Sequence, residues 1–355
     1  MSSAPLTFPL PWQQRQWQRL TGLVAQQRLP HAVILSGSEG CGKSGFVEAL
    51  VGYLLCCAPQ IAAEGVAIPC GQCDSCRFMA AGNHTDLVWL QPQSKAEEER
   101  SKGYLDVGMV RREIDPQREI SVNGVRELID FLGLSARLGR GKVAVLLHSE
   151  RLNYNAANAL LKTLEEPSAS ATLFLVTSEP DRLLPTIRSR CQHYTLQLDS
   201  DALAQAAAWL QLQSGATATV VADALLLAAD APLKALAYLE ADRAAAITAY
   251  VDTLLALREQ RLNPLAVAAD WSAKGGEPHL GWFYLLMLAV TRQRFTQGQV
   301  VGQLTPQLQA SLATVAAVPW FGFTEKLQLT IERWPQRRAN RQLLLEELLL
   351  SWQYL

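Results

Sequence analysis

Residues 37 to 44 read Gly-Ser-Glu-Gly-Cys-Gly-Lys-Ser, preceded by the apolar run Ala32-Val33-Ile34-Leu35 and continuing into a helical pattern over 43–55. A strand, a glycine-rich turn and a helix in that order make a cradle for phosphate. Gly37, Gly40 and Gly42 let the backbone turn sharply with its N–H groups inward, and the helix N-terminus adds partial positive charge. In such a cradle Ser38, Glu39 and Cys41 supply further backbone, Lys43 reaches the β- and γ-phosphates, and Ser44 holds Mg²⁺. The expected ligand is ATP or ADP.

A nucleotide loop of this kind needs a parallel sheet behind it, and the pattern supplies one. The run at 32–35 reads as a buried strand, and similar runs follow at 87–90, 143–147 and 173–176, as in strands covered on both faces. Helical patterns over 122–134 and 155–166 alternate with them, the second stopped by Pro167, since proline lacks an N–H and clashes with the preceding turn. This alternation predicts an α/β domain with helices on both faces of the sheet. Residues 93–119 are charged and poor in apolar side chains, which predicts a solvated loop. From Asp199 the strand signal gives way to alanine- and leucine-rich helical stretches that run to Leu355. The expected class is therefore α/β plus all-α, with an α/β domain over 1–198, a small helical domain over 199–241 and a larger helical domain over 242–355.

A chain of 355 residues, 49% of them apolar, exceeds one core and has ample material for two or three. The formal net charge of -1 supplies no sequence-wide basic field, so a zinc-bearing nucleic-acid-binding protein is the disfavoured reading. The first ten residues lack a basic segment followed by an apolar core, and no apolar run reaches the roughly 18 residues of a membrane span. The expectation is a cytoplasmic protein with no membrane partner.

Hydrolysis of a nucleotide requires an acidic residue at a neighbouring strand end to hold the metal and another to orient water. Here that strand ends Val145-Leu146-Leu147-His148-Ser149-Glu150. Leucine cannot coordinate a cation, histidine is a poor replacement for a carboxylate beside Mg²⁺, and Glu150 lies two residues further on. The chain offers a nucleotide seat without its catalytic carboxylates. An ATPase in its own right is the competing reading.

Seven cysteines are present, and in an intracellular setting such residues serve as metal ligands or free thiols more often than as disulfides. Cys70-Gly-Gln-Cys73-Asp-Ser-Cys76 spaces three thiolates so that tight turns converge them on one tetrahedral ion. Either Cys56 or Cys57 supplies the fourth ligand. An iron–sulfur cluster uses similar spacing, but the common bacterial run adds a fourth cysteine followed by proline. Zinc in a structural site is the favoured reading.

The segment Leu184-Pro-Thr-Ile-Arg-Ser-Arg190-Cys191 follows the last of these strands. Spacing alone makes Arg190 no more than a surface or salt-bridged arginine. Taken with Arg28-Leu-Pro-His-Ala32, the phosphate loop, the cysteine spacing and Asn158-Ala-Leu-Leu-Lys-Thr-Leu-Glu-Glu-Pro167, however, it resembles the bacterial sliding-clamp loader family. Near the end, Asn340-Arg-Gln-Leu-Leu-Leu-Glu-Glu-Leu-Leu-Leu350 is similar to the last helix of the collar domain of these loaders. Asn340 can cap such a helix. Within the family the chain resembles a non-hydrolysing member more than the ATP-hydrolysing tau/gamma subunit, because Leu147 and His148 replace the acidic pair. The resemblance implies an AAA+ fold with a helical lid and collar, joined in an arc with delta and tau/gamma subunits that opens the sliding clamp and places it on primed DNA. It also implies that Arg190 acts in trans on a neighbour's ATP and that Thr177 is the polar sensor. The lid sensor arginine is replaced by leucine in Asp230-Ala-Pro-Leu-Lys234.

Overall fold

The structure is a computed structural model and describes residues 8–62, 65–92, 106–107, 118–138, 140–273, 277–296, 302, 304–334 and 340–355. The predicted solvated loop over 93–119 lies outside the described residues except for 106–107 and 118–119. Contacts divide the chain into two compact units, Met1–Ala202 and Leu203–Leu355.

The strands of the first unit are β1 (Ala32–Gly37), β2 (Gln60–Ile61), β3 (Ala67–Ile68), β4 (Leu87–Leu90), β5 (Asp106–Val107), β6 (Lys142–Leu147), β7 (Ala171–Thr177) and β8 (Gln192–Leu196). Six form one sheet in the order β5-β4-β6-β7-β1-β8, while β2 and β3 make a separate hairpin. The large sheet is parallel except at its edge, where β5 pairs antiparallel with β4. Its inner strands are apolar at successive residues because both faces are covered. In β1, Val33 and Leu35 enter one core while Ala32 and Ile34 enter the other. In β6, Val143, Val145 and Leu147 take the first face, and Ala144 and Leu146 the second.

The first face is covered by α1 (Gln14–Ala25) and α2 (Lys43–Leu55), with Trp17, Leu20, Phe46, Val47 and Leu50 buried; Met79 of α3 (Asp74–Ala80) joins them. The second is covered by α4 (Val122–Gly133) and α5 (Tyr154–Glu165) through Leu128, Leu132, Leu160 and Leu164, joined by Ile187 of α6 (Pro185–Arg188). Ser121 caps α4 by accepting from Gly124 N–H at 3.4 Å, and Asn153 caps α5 by accepting from Ala156 N–H at 2.9 Å. These caps satisfy otherwise orphan N–H groups of the first turn. The elements fall where the apolar runs predict them. The longest helix and the longest strand of this unit without such a signal are α1 and β8; the short β2, β3, β5, α3 and α6 also lie outside the predicted runs.

The second unit is helical in its described residues: the remainder of α7 (Ser200–Ser214), then α8 (Ala218–Leu227), α9 (Pro232–Tyr238), α10 (Ala241–Arg258), α11 (Pro264–Ala273), α12 (Glu277–Thr296), α13 (Leu304–Ser311), α14 (Ala317–Arg333) and α15 (Arg341–Gln353). A small core of Leu210, Val221, Ala224 and Ala235 serves the first of these helices. A larger one gathers Leu254, Phe283, Trp320, Leu348 and Trp352. Trp352 also donates its indole N–H to Leu254 O at 2.8 Å, so its one polar atom is satisfied inside the core. Asn340 caps α15 through Leu343 N–H at 3.2 Å. No helix among the described residues is long and apolar enough to cross a membrane.

Candidate nucleotide and metal sites

The turn between β1 and α2 has the backbone that its glycines require. Gly40 and Gly42 take φ of 75° and 91°, values that L side chains rarely adopt. At Gly42, the N-cap of α2, a Cβ would also meet Gln13 Nε2 at 2.7 Å. Lys43 curls back over the loop, its Nζ donating to Gly37 O at 2.9 Å and Ser38 O at 2.8 Å. It is buried, as is Cys41, whereas Ser38, Glu39 and Ser44 are exposed. Burial lowers the Lys43 pKa, opposed by the charges of Cys41, Glu150 and Glu39; burial raises the Cys41 thiol. The segment before α1 braces this turn. Trp12 Nε1 and Gln13 Nε2 both donate to Cys41 O, at 3.0 and 2.9 Å, and the Phe8 ring lies where a Cβ on Gly45 would be, 2.0 Å from its Cζ.

Thr177 ends β7 beside Ser36 of β1, one residue before Gly37. It is buried, and its Oγ1 accepts from Glu179 N–H at 3.0 Å. Leu147 ends β6 and sits in the core under α2, so the first acidic position of a hydrolytic site is filled by an apolar side chain pointed away from solvent. His148 then takes φ 52° and ψ 47°, and Ser149–Arg151 form a single 3-10 turn. That reversal redirects Glu150 into the protein, where its side chain is 5% exposed and Oε1 lies 3.3 Å from His148 Nδ1. Burial would raise the Glu150 pKa, but hydrogen bonding from His148, Thr177 and its own backbone outweighs burial and brings it to about 2. Strand periodicity carries no signal for this residue, because the left-handed conformation of His148 is what aims it.

The cysteine cluster assembles from the end of α2, the loop after β3 and the start of α3. The sulfurs of Cys56, Cys70, Cys73 and Cys76 lie within 4.8 Å of one another. Cys56 to Cys73 is 4.0 Å and Cys70 to Cys76 is 3.9 Å, close to the roughly 3.8 Å edge of a tetrahedron with metal–sulfur bonds near 2.3 Å. Backbone N–H groups point at three of the sulfurs: Cys70 N at Cys56 Sγ, Cys73 N at Cys70 Sγ and Cys76 N at Cys73 Sγ, at 3.2, 3.4 and 3.5 Å. At Cys73, burial opposes ionisation but the N–H groups of Cys57 and Cys76 prevail and lower the thiol to about 6. These four can hold a metal ion. Cys57 is exposed and outside the cluster, while Arg140 clamps the carbonyl of Cys56 with Nε and Nη2 at 3.0 and 2.7 Å.

Arg190 follows α6 on a surface turn. Its Nη2 and Nε reach Glu165 Oε1 at 2.5 and 2.9 Å and its Nη1 donates to Thr186 O at 2.9 Å. The guanidinium is held in one orientation yet a third of the side chain is exposed. Nothing in the described structure joins it to the phosphate loop of the same chain.

A glycine cradle at the end of an inner parallel strand defines a phosphate-loop α/β protein, here with four clustered cysteines that could hold a metal ion. The model of the family described as DNA polymerase III, delta subunit matches residues 12–200. DNA polymerase III subunit delta' of Yersinia pestis is 33% identical over 355 residues, covering 97% of this chain and 95% of that protein. The corresponding subunit of Pseudomonas aeruginosa is 40% identical over 181 residues, 51% of this chain and 46% of the relative. That of Escherichia coli is 37% identical over 185 residues, 52% of this chain and 48% of the relative. The match thus spans about half the length of the last two relatives. The chain belongs to the DNA polymerase III delta-prime subunit family.

Proposed function

We propose that this chain is a non-hydrolysing AAA+ subunit of a clamp loader, joined with delta and tau/gamma subunits, that donates Arg190 to the ATP of a neighbour and so helps place a sliding clamp on primed DNA. The observation that carries this reading is the end of β6: Leu147 is committed to the core, leaving no carboxylate at the first acidic position. Arg190 supports the second half, because its planar, permanently charged fork is pre-oriented by Glu165 and suits a transferring γ-phosphate. The four cysteines hold structural zinc, as their sulfur spacing fits. Residues 199–241 serve as lid and 242–355 as collar.

The test is a loader reconstituted with Arg190→Ala. Assembly is expected to remain intact while ATP turnover falls at least tenfold, since trans arginines contribute about 10³–10⁵ to kcat. Unchanged turnover refutes the role. The intact phosphate loop supports one second reading, an ATPase in its own right, which would be established by hydrolysis in the purified chain that Lys43→Ala abolishes.

A further inference from the structure

Glu150 is an unexplained carboxylate. It stands outside both acidic positions of a hydrolytic strand end, yet its side chain is 5% exposed, and isolated burial of a charged carboxylate is strongly unfavourable. His148 Nδ1 meets Oε1. The other oxygen, Oε2, is buried and has no hydrogen-bond partner. A buried acceptor left in that condition calls for a ligand or a role.

Its position supplies the role. The turn Ser149–Arg151 is tied to the neighbouring strand by Ser149 Oγ donating to Val176 O at 3.2 Å. The next residue of that strand is Thr177, whose hydroxyl contributes to holding Glu150 charged. Thr177 is in register with Ser36, and Gly37 opens the phosphate loop. Glu150 is also among the charges that act on Lys43, although no ion pair joins them among the described residues. A carboxylate at the C-terminal edge of the sheet, beside the strand-end threonine and within electrostatic reach of the loop lysine, is where a triphosphate's cation would sit.

We propose that Glu150 is the acidic residue of this phosphate loop, its free Oε2 serving as a ligand to the divalent cation of a nucleoside triphosphate held by Lys43 and Ser44. The inference rests on the loop being a nucleotide seat and is independent of Arg190. It restores a metal-holding carboxylate without restoring the second acidic residue that orients water, so it predicts retention of a magnesium–nucleotide complex rather than turnover.

The experiment is calorimetric titration of the full chain with ATP, in magnesium and in EDTA. The unmodified chain is expected to favour ATP with magnesium. Glu150→Gln should bind magnesium–ATP about tenfold more weakly and metal-free ATP at least as tightly, because a negative charge facing the triphosphate has been removed. Lys43→Ala should weaken both. Equal affinities of Glu150→Gln and the unmodified chain under both conditions overturn the assignment and leave the nucleotide seat standing; absence of binding by the unmodified chain overturns both. Should Glu150→Gln fail to fold, Glu150→Asp is titrated in the same way: weakened magnesium–ATP binding with metal-free ATP unchanged supports the proposal, and unchanged binding of both sinks it. Loss of loader turnover in Arg190→Ala is read separately and bears only on the trans role.

Discussion

The phosphate loop and the cysteine cluster are both tight turns that open a helix, α2 at Gly42 and α3 at Cys73, but they complete themselves by different routes. The cluster draws all its donors from one short stretch, Cys56 to Cys76, and its own backbone N–H groups prepare the sulfurs. The acidic partner proposed for the loop, Glu150, follows β6, more than a hundred residues later in the chain and two strands away in the sheet. A site closed locally can be lost only by changing its own residues. A site closed through topology can draw the same charge from a neighbouring turn, which is the arrangement proposed for Glu150 beside Leu147.

The largest effect that separates the two is expected from the cluster. Cys70→Ser, or a strong chelator, should release metal and destabilise the first unit by about 4 kcal/mol or more, the range for loss of a structural metal. Cys57→Ser should change neither metal content nor melting temperature; elemental analysis and calorimetry read both, and metal loss in the Cys57 variant would break the assignment of Cys56. A smaller effect is expected from the loop, where Gly42→Ala forces a side chain into φ 91° against Gln13. About 1–3 kcal/mol should be lost in urea unfolding, without any loss of metal. The last effect is confined to acid. Glu150 is ordinarily near 4.5 unfolded and about 2 in the fold, so the stability it contributes is complete above 4.5 and lost as the pH falls towards 2. Melting curves of Glu150→Gln should lack that part of the acid slope, and an identical slope would count against the buried charge.

The same contrast explains what could be read from the sequence. The inner strands and α2, α4 and α5 were legible because continuous or 3.6-periodic apolar runs follow directly from two covered faces. The cysteine spacing and the phosphate loop were legible because their geometry is local. Helix α1 was not: glutamine and arginine fill most of its first turns, and its burial rests on Trp17, Leu20 and Thr21. Strand β8 is an edge strand in which only Tyr194 and Leu196 are buried, too few to mark a strand. The choice of Cys56 over Cys57 depends on which way the chain leaves α2, and the redirection of Glu150 depends on one left-handed residue. Neither leaves a periodic trace.

The strand that carries the phosphate loop has a further consequence during synthesis. Both neighbours of β1 in the sheet, β7 and β8, are encoded well over a hundred residues after it. At about 5–20 residues per second, the ribosome needs roughly 8–30 s after releasing Gly37 before β8 exists to flank it. Throughout that interval Ala32-Val33-Ile34-Leu35 is a nascent apolar edge open on both sides, while the four cysteines, all before residue 77, emerge early in it. The four-cysteine cluster is therefore complete in the nascent chain long before the sheet that carries the phosphate loop.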